Sequence, residues 1–202
     1  RYFKEEFVNM PVARSFPLWN SMGILPPIKP GMPGNSPERS PYQIAAPVFI
    51  DTFAQSPERI KILSGFLAFR AELHKLKITR GFQWLDGSFL ENIEILANRA
   101  PHDLDVVTFY QLPAGETQQS LAQKNQDIFN PVHLKSAFTI DGYFSMLGLP
   151  VDNKEIKTIN YWYSMWSHRR NGLWKGFVQI DLDPSQDAEA NKILEINKEA
   201  IK

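Results

Sequence analysis

Seven of the fifteen prolines crowd into Gly23–Pro47, GILPPIKPGMPGNSPERSPYQIAAP. Proline has no backbone donor and pushes the residue before it out of the helical region. This stretch is therefore expected to run extended, without a helix or a central strand. Its apolar residues Ile24, Leu25, Ile28 and Met32 argue against a free linker. The sequence predicts a proline-rich wrap over residues 1–55, lying on a folded domain over residues 56–202.

The chain of 202 residues is long enough for one sizeable core. Apolar residues make up 43% and charged residues 22%, with zero formal net charge. No global basic field advertises nucleic acid, although a local patch stays open. The absence of cysteine removes disulfides, thiolate metal sites and cysteine nucleophiles. No run approaches the roughly 18 apolar residues of a membrane span. The opening RYFKEEFVNMPVARSF lacks the apolar core of a secretory signal. The expectation is a cytoplasmic protein.

Ser56-Pro57-Glu58 reads as a helix start, with Ser as cap and Pro in the first turn. Apolar positions from Ile60 to Leu76 carry that helix to about Lys77. Phe82–Leu85 reads as a short strand, Phe89–Asn98 as a helix or helical turn, and Leu104–Tyr110 as a strand. A weak Gln-rich helix spans Glu116–Phe129, and Ala137–Phe144 alternates as a strand. Asp152 and Glu155 form a capping box ahead of Ile156, Ile159, Tyr163 and Trp166. Trp174–Leu182 is a further strand, and Asp183-Pro184 opens a last helix. Helices and strands alternate, which predicts an α/β (α+β) domain with helices flanking a small mixed sheet.

Strand side chains alternate faces, so Asp103 and Asp105 point to one side while Leu104 and Val106 point to the other. Two close carboxylates resist joint ionisation, and a hard divalent cation relieves that repulsion. Magnesium takes a few carboxylates, waters and substrate phosphates, so Asp-x-Asp at a strand start reads as half of a metal–triphosphate site. Gly87-Ser88 reads as the other half. Glycine admits close backbone approach, backbone N–H groups at a following helix start hold anions, and Ser88 adds a hydroxyl. Asp141 lies mid-strand in AFTIDGYF, where a charge is costly unless paired or metal-bound. Asp181 is the alternative third carboxylate, and Asp183 is explained by capping.

These motifs, LDGSF, then PHDLDVV, then a later KG before an apolar strand, resemble the signature of the polymerase-β-type nucleotidyltransferase superfamily. They are most similar to a bacterial group of small nucleotidyltransferase-like proteins. The resemblance runs patchily from Gly23 to Leu182. It implies a nucleotidyltransferase-type fold and metals on Asp103, Asp105 and a third carboxylate, preferentially Asp141. It also implies magnesium or manganese as cofactor, and a nucleoside triphosphate as substrate held at Gly87 and Ser88. The acceptor stays open among RNA, protein and small molecule, and a protein partner is consistent with the toxin–antitoxin or phage-defence setting that the group suggests. A catalytically inactive module binding a nucleotide or a partner is the competing reading. Asp86 stands where the superfamily usually has an apolar residue, and the gap from the Gly-Ser turn to the aspartates is slightly longer.

Lys175 is a candidate triphosphate ligand, equally well read as structural. His168, Arg169 and Arg170 read better as a solvated helix end than as a phosphate site. His102 reads as a loop histidine without a role. Tyr161, Trp162, Tyr163 and Trp166 could stack on bases, but at helical spacing they are assigned to the core.

Overall fold

The computed structural model describes residues 16–201. Residues 1–15 of the expected wrap lie outside that range. Five strands form one mixed sheet: β1 (Tyr42–Gln43), β2 (Gly81–Asp86), β3 (Leu104–Tyr110), β4 (Ile140–Met146) and β5 (Val178–Asp181). Their order is β1-β5-β2-β3-β4. The β1–β5 and β3–β4 pairs are parallel, while β5–β2 and β2–β3 are antiparallel. The helices among the described residues are α1 (Ala46–Phe53), α2 (Pro57–Lys75), α3 (Ile93–Ala97), α4 (Gln118–Lys124), α5 (Pro131–Phe138), α6 (Asn153–Trp166) and α7 (Pro184–Ala200). This is the mixed α/β class that the sequence predicts. No helix among these is long and apolar enough to cross a membrane.

The caps explain most element starts. Ser56 accepts from the Arg59 N–H, Asp152 from Glu155 and Asp183 from Ser185. Each satisfies a donor that the first turn leaves unpaired. Asn130 does the same for α5, followed by Pro131 in the first turn. That Asn-Pro start was not expected. α5 takes Ala137 and Phe138 out of the predicted strand, and β4 begins only after Thr139 turns the chain with φ +59°.

The proline-rich segment also differs at its end. Ile24 and Leu25 are buried, as a wrap requires, and Tyr42–Gln43 adds a short edge strand beside β5. Helix α1 then starts at Ala46, where Pro47 suits the first turn. It sends Phe49, Ile50 and Phe53 into the same core as Phe66 and Phe89. No break in the core separates residues 16–54 from those after them.

α1, α2, α5 and α7 cover one face of the sheet. The other face carries Phe82, Trp84 and Phe109, with Phe82 stacked on Phe109 and Trp84 edge-on to it. α6 covers part of that face through Trp162 and Tyr163. Helical spacing assigns its aromatic residues to the core, yet only Trp166 is buried and Tyr161 is 58% exposed. Helical spacing gave the amphipathic face correctly. What it could not show is that the sheet meets only one side and one end of the helix.

A buried arginine ties α2 to the sheet and to α7. Arg70, fully buried, donates to the Gln83 side chain, to the Asp181 carbonyl and to Asp187. His74 reaches the other Asp187 oxygen at 2.8 Å. Burial alone would raise the Asp187 carboxyl, but the bonds from His74 and Arg70 outweigh it and hold the group below the ordinary aspartate range. A carboxyl whose folded pKa is depressed contributes stability above its unfolded value, ~4, and loses it as pH falls through the folded one. The wild-type urea midpoint should therefore fall more between about pH 5 and about pH 3 than that of Asp187→Asn. Equal falls in the two proteins would refute this role.

Candidate active site

β2 ends at Asp86, and the chain turns away at Gly87 with φ +85°. A Cβ at Gly87 would collide with the Asp105 carboxylate, so both conformation and space require glycine there. A 3₁₀ turn over Ser88–Leu90 follows, then α3. Strand register sets the rest. Asp86 lies opposite Asp105 across the β2–β3 pair, and Asp105 lies beside Asp141 across the β3–β4 pair. Three neighbouring strands thus present a row of carboxylates on the face that α6 partly covers. Asp103, two residues before Asp105, points the same way.

The row forms the floor of a cleft of about 740 Å³. Gly87 and Ser88 line one wall, and Arg99, Lys135, His168, Arg169 and Arg170 stand around the rim. An acidic floor beneath a basic rim suits a polyphosphate carried with cations.

Two buried cations lock the wall that bears Gly87 and Ser88. From behind, Arg59 of α2 donates to the carbonyls of Phe89 and Glu91 and pairs with Glu94 through two nitrogens. Its guanidinium lies 5.0 Å from the Phe89 ring centroid and 5.1 Å from that of Trp19. From the other side, the Lys175 ammonium reaches Asp86 at 2.8 Å and Glu91 at 3.4 Å. Arg169 reaches the second Glu91 oxygen at 3.2 Å.

The charges follow from this packing. Burial pushes Asp86 up to about 6, with Lys175 and the Gly87 N–H acting against it. Burial would lower Lys175, but Asp86 and Glu91 hold it above the ordinary lysine value. At neutral pH the pair is therefore ionic. Asp105 makes no ion pair among the described residues. Burial, then the negative charges of Asp86, Asp103 and Asp141, push it up to about 7. The Lys175 ammonium acts against this push without cancelling it.

The structure brings together Gly87, Ser88, Asp103, Asp105, Asp141 and Lys175 in this one cleft. Lys175, considered as a triphosphate ligand, has its ammonium held between two buried carboxylates instead. Asp181 lies at the other end of β2, where it pairs with Phe82 and accepts from Gln43. It is remote from the row, so of the two candidates only Asp141 lies beside Asp105. Asp183 caps α7, as expected. His168 and Arg170 are exposed just past the end of α6, with His168 Nδ1 3.3 Å from the Ser164 carbonyl, as at a solvated helix end. With Arg169 they belong to a tight turn, with Gly172 N–H bonded to the Arg169 carbonyl, at the cleft mouth. His102 lines the cleft as well.

Sequence reading missed Asp86, Glu91, Arg59, Arg99 and Lys135. One signal was present: Asp86 and Lys175 each interrupt an apolar strand context, and two opposite charges in such positions call for each other.

The donor set is all oxygen, which suits magnesium or manganese rather than a soft metal. Among the described residues no group of three or more His, Asp or Glu side chains converges as a metal cage. The Lys135 ammonium lies 2.8 Å from Asp103 and 3.9 Å from Asp141, so a cation already bridges part of the row. Magnesium completes its shell with waters and phosphates. The row therefore fits it in donor chemistry, once the exposed Lys135 side chain moves aside.

A family model described as "Family of unknown function (DUF6932)" matches residues 17–181. The chain belongs to that family. The DUF6932 match spans every cleft residue from Asp86 to Lys175 and ends at the close of β5. No curated protein and no solved structure matches the chain.

Removing the Lys175 ammonium strands the buried Asp86 carboxylate and leaves Glu91 with Arg169 alone. Lys175→Met should cost about 3–5 kcal/mol in urea unfolding. Adding Asp86→Asn and Glu91→Gln to it should restore part of that loss. A single variant as stable as wild type would show that the network carries no structural role.

Proposed function

We propose that this protein is a metal-dependent nucleotidyltransferase acting on a nucleoside triphosphate. The observation that carries the reading is the carboxylate row Asp86–Asp105–Asp141, set in register across three strands beside a Gly-Ser turn. The resemblance to polymerase-β-type nucleotidyltransferases supports it through the same residues.

Asp103, Asp105 and Asp141 would hold magnesium or manganese. When bound, the ions supply charge neutralisation at the phosphates. Backbone N–H groups of the Gly87-Ser88 turn and the Ser88 hydroxyl hold the triphosphate. Arg99 and Arg170 at the rim meet its remaining charge. In the transfer, an acceptor hydroxyl oxygen bonds to the α-phosphorus. The bond from that phosphorus to the oxygen bridging toward the β-phosphate breaks, and pyrophosphate leaves. Asp141, at the open side of the row, takes the hydroxyl proton. The chain's part is mostly positioning and electrostatics.

One observation favours a second reading, a nucleotide-binding module without transfer. Lys135 already bridges Asp103 and Asp141, so part of the row is neutralised without a divalent ion.

A thermal-shift screen with each nucleoside triphosphate, with and without magnesium, tests the binding. At tenfold above Kd, about 3–6 °C of stabilisation is expected in wild type and none in Asp103→Ala. Magnesium-dependent pyrophosphate release separates transfer from binding alone. A wild type that no nucleotide stabilises would sink both readings.

Gly87→Ala offers a separate check on the turn. Its Cβ would displace the Asp105 carboxylate, so the nucleotide-induced shift should vanish, and the variant should lose about 1–3 kcal/mol from forced left-handed backbone and collision. An unchanged shift would remove the turn from the site.

A further inference from the structure

We propose that the outer face of α6, with Tyr143 of β4, binds the end of a single-stranded nucleic acid, and that this strand is the acceptor. The acceptor role rests on the nucleotidyltransferase reading of the cleft; the binding face does not.

Tyr143 follows Asp141 by two residues on β4 and so shares its side of the sheet. Its ring centroid lies 4.7 Å from that of Trp162, which lies 5.1 Å from that of Tyr161. Tyr143 is 37% and Tyr161 58% exposed. An aromatic platform therefore begins beside the third carboxylate and ends in solvent. Ring faces left open in this way are where unpaired bases stack, with little preference for sequence. Paired bases in a duplex cannot offer theirs.

The helix continues the platform in both directions. At 3.6 residues per turn, Lys154, Lys157, Thr158, Tyr161 and Met165 fall on one face. The first four line a depression of about 640 Å³ beside α6. Met165 lines the carboxylate cleft. The strip spans ~17 Å, the length of about five stacked nucleotides. Neither Lys154 nor Lys157 joins the lysine ion pairs found among the described residues. Both ammoniums are thus free for a phosphate backbone. Asp152 also borders the depression, but its carboxylate is engaged in capping the Glu155 N–H. At the cleft end the strip meets Arg169 and Arg170.

The composition separates this face from a protein-docking one. The exposed aliphatic residues of α6, Ile156 and Ile159, lie on the other side of the helix, away from the lysines. The strip itself offers cations and one ring, and it leads to the site where an acceptor hydroxyl must arrive. That hydroxyl would be the terminal one of the strand. It bonds to the α-phosphorus of the triphosphate and gives up its proton as pyrophosphate departs.

Fluorescence anisotropy with fluorescein-labelled eight-residue oligouridylate and oligodeoxythymidylate tests the face directly. Wild type should bind at least one of them, and the two arms tell RNA from DNA. Tyr161→Ala should weaken binding about tenfold. The double variant Lys154→Glu/Lys157→Glu should weaken it and flatten its salt dependence. Both variants change exposed side chains and should keep the magnesium–triphosphate thermal shift. Wild type that binds neither oligonucleotide up to ~100 μM protein, or Tyr161→Ala that binds as wild type does, would overturn the proposal. A triphosphate shift without oligonucleotide binding would leave the nucleotidyltransferase reading standing and remove this acceptor. Oligonucleotide binding lost in both variants, with no triphosphate shift, would support the binding face and remove the transferase reading.

Discussion

Two buried cations hold the wall of the cleft in place. Arg59 and Lys175 are 1% and 5% exposed, and each would be a severe liability if unpaired. Their side-chain hydrogen-bond partners all lie within the segment from Asp86 to Glu94, which has one short 3₁₀ turn and one short helix of its own. Such a segment cannot hold its shape by local hydrogen bonds. Arg59 grips its carbonyls from α2, and Lys175 grips its carboxylates from the lead-in to β5. The charges are satisfied only when the turn, α2 and β5 are all in place, which makes the arrangement cooperative.

With that wall fixed, the sheet does the rest. Strand pairing sets Asp86, Asp105 and Asp141 side by side without any bond between the side chains themselves. Their proximity is a consequence of backbone register, and Asp105 carries the cost as a carboxyl pushed up to about 7. A stability-driven sequence would have no reason to keep that repulsion. Gly87 adds the same kind of evidence, since its missing side chain is the space the Asp105 carboxylate fills.

The fold was largely legible because its signals are local. Ser56-Pro57, Asp152 and Asp183-Pro184 announce helices, and Leu104–Tyr110 has a strand's composition. The candidate carboxylates were legible because aspartate is so out of place in a strand. α1 and α5 were missed because proline was read as a helix breaker, when Pro47 and Pro131 sit in first turns where it is tolerated. The sequence hints that Asp86 and Lys175 each need a partner, but 89 residues separate them and only the antiparallel β2–β5 pairing brings them together. Exposure of the α6 aromatics was hidden for a related reason: periodicity reports which residues share a face, and not how far the neighbouring sheet extends.

The proline-rich segment has a role at the sheet's margin. β1 is only two residues long, is preceded by Pro41, and uses the Tyr42 and Ile44 N–H groups on the Phe177 and Gln179 carbonyls. An edge so short, with a residue that has no donor at its head, cannot template another strand. β4, seven residues long at the opposite margin, pairs with β3 alone among the described residues. Growth of the sheet by strand addition, in aggregation or in assembly, is thus disfavoured at the β1 margin, away from the strand that carries Asp141 and Tyr143.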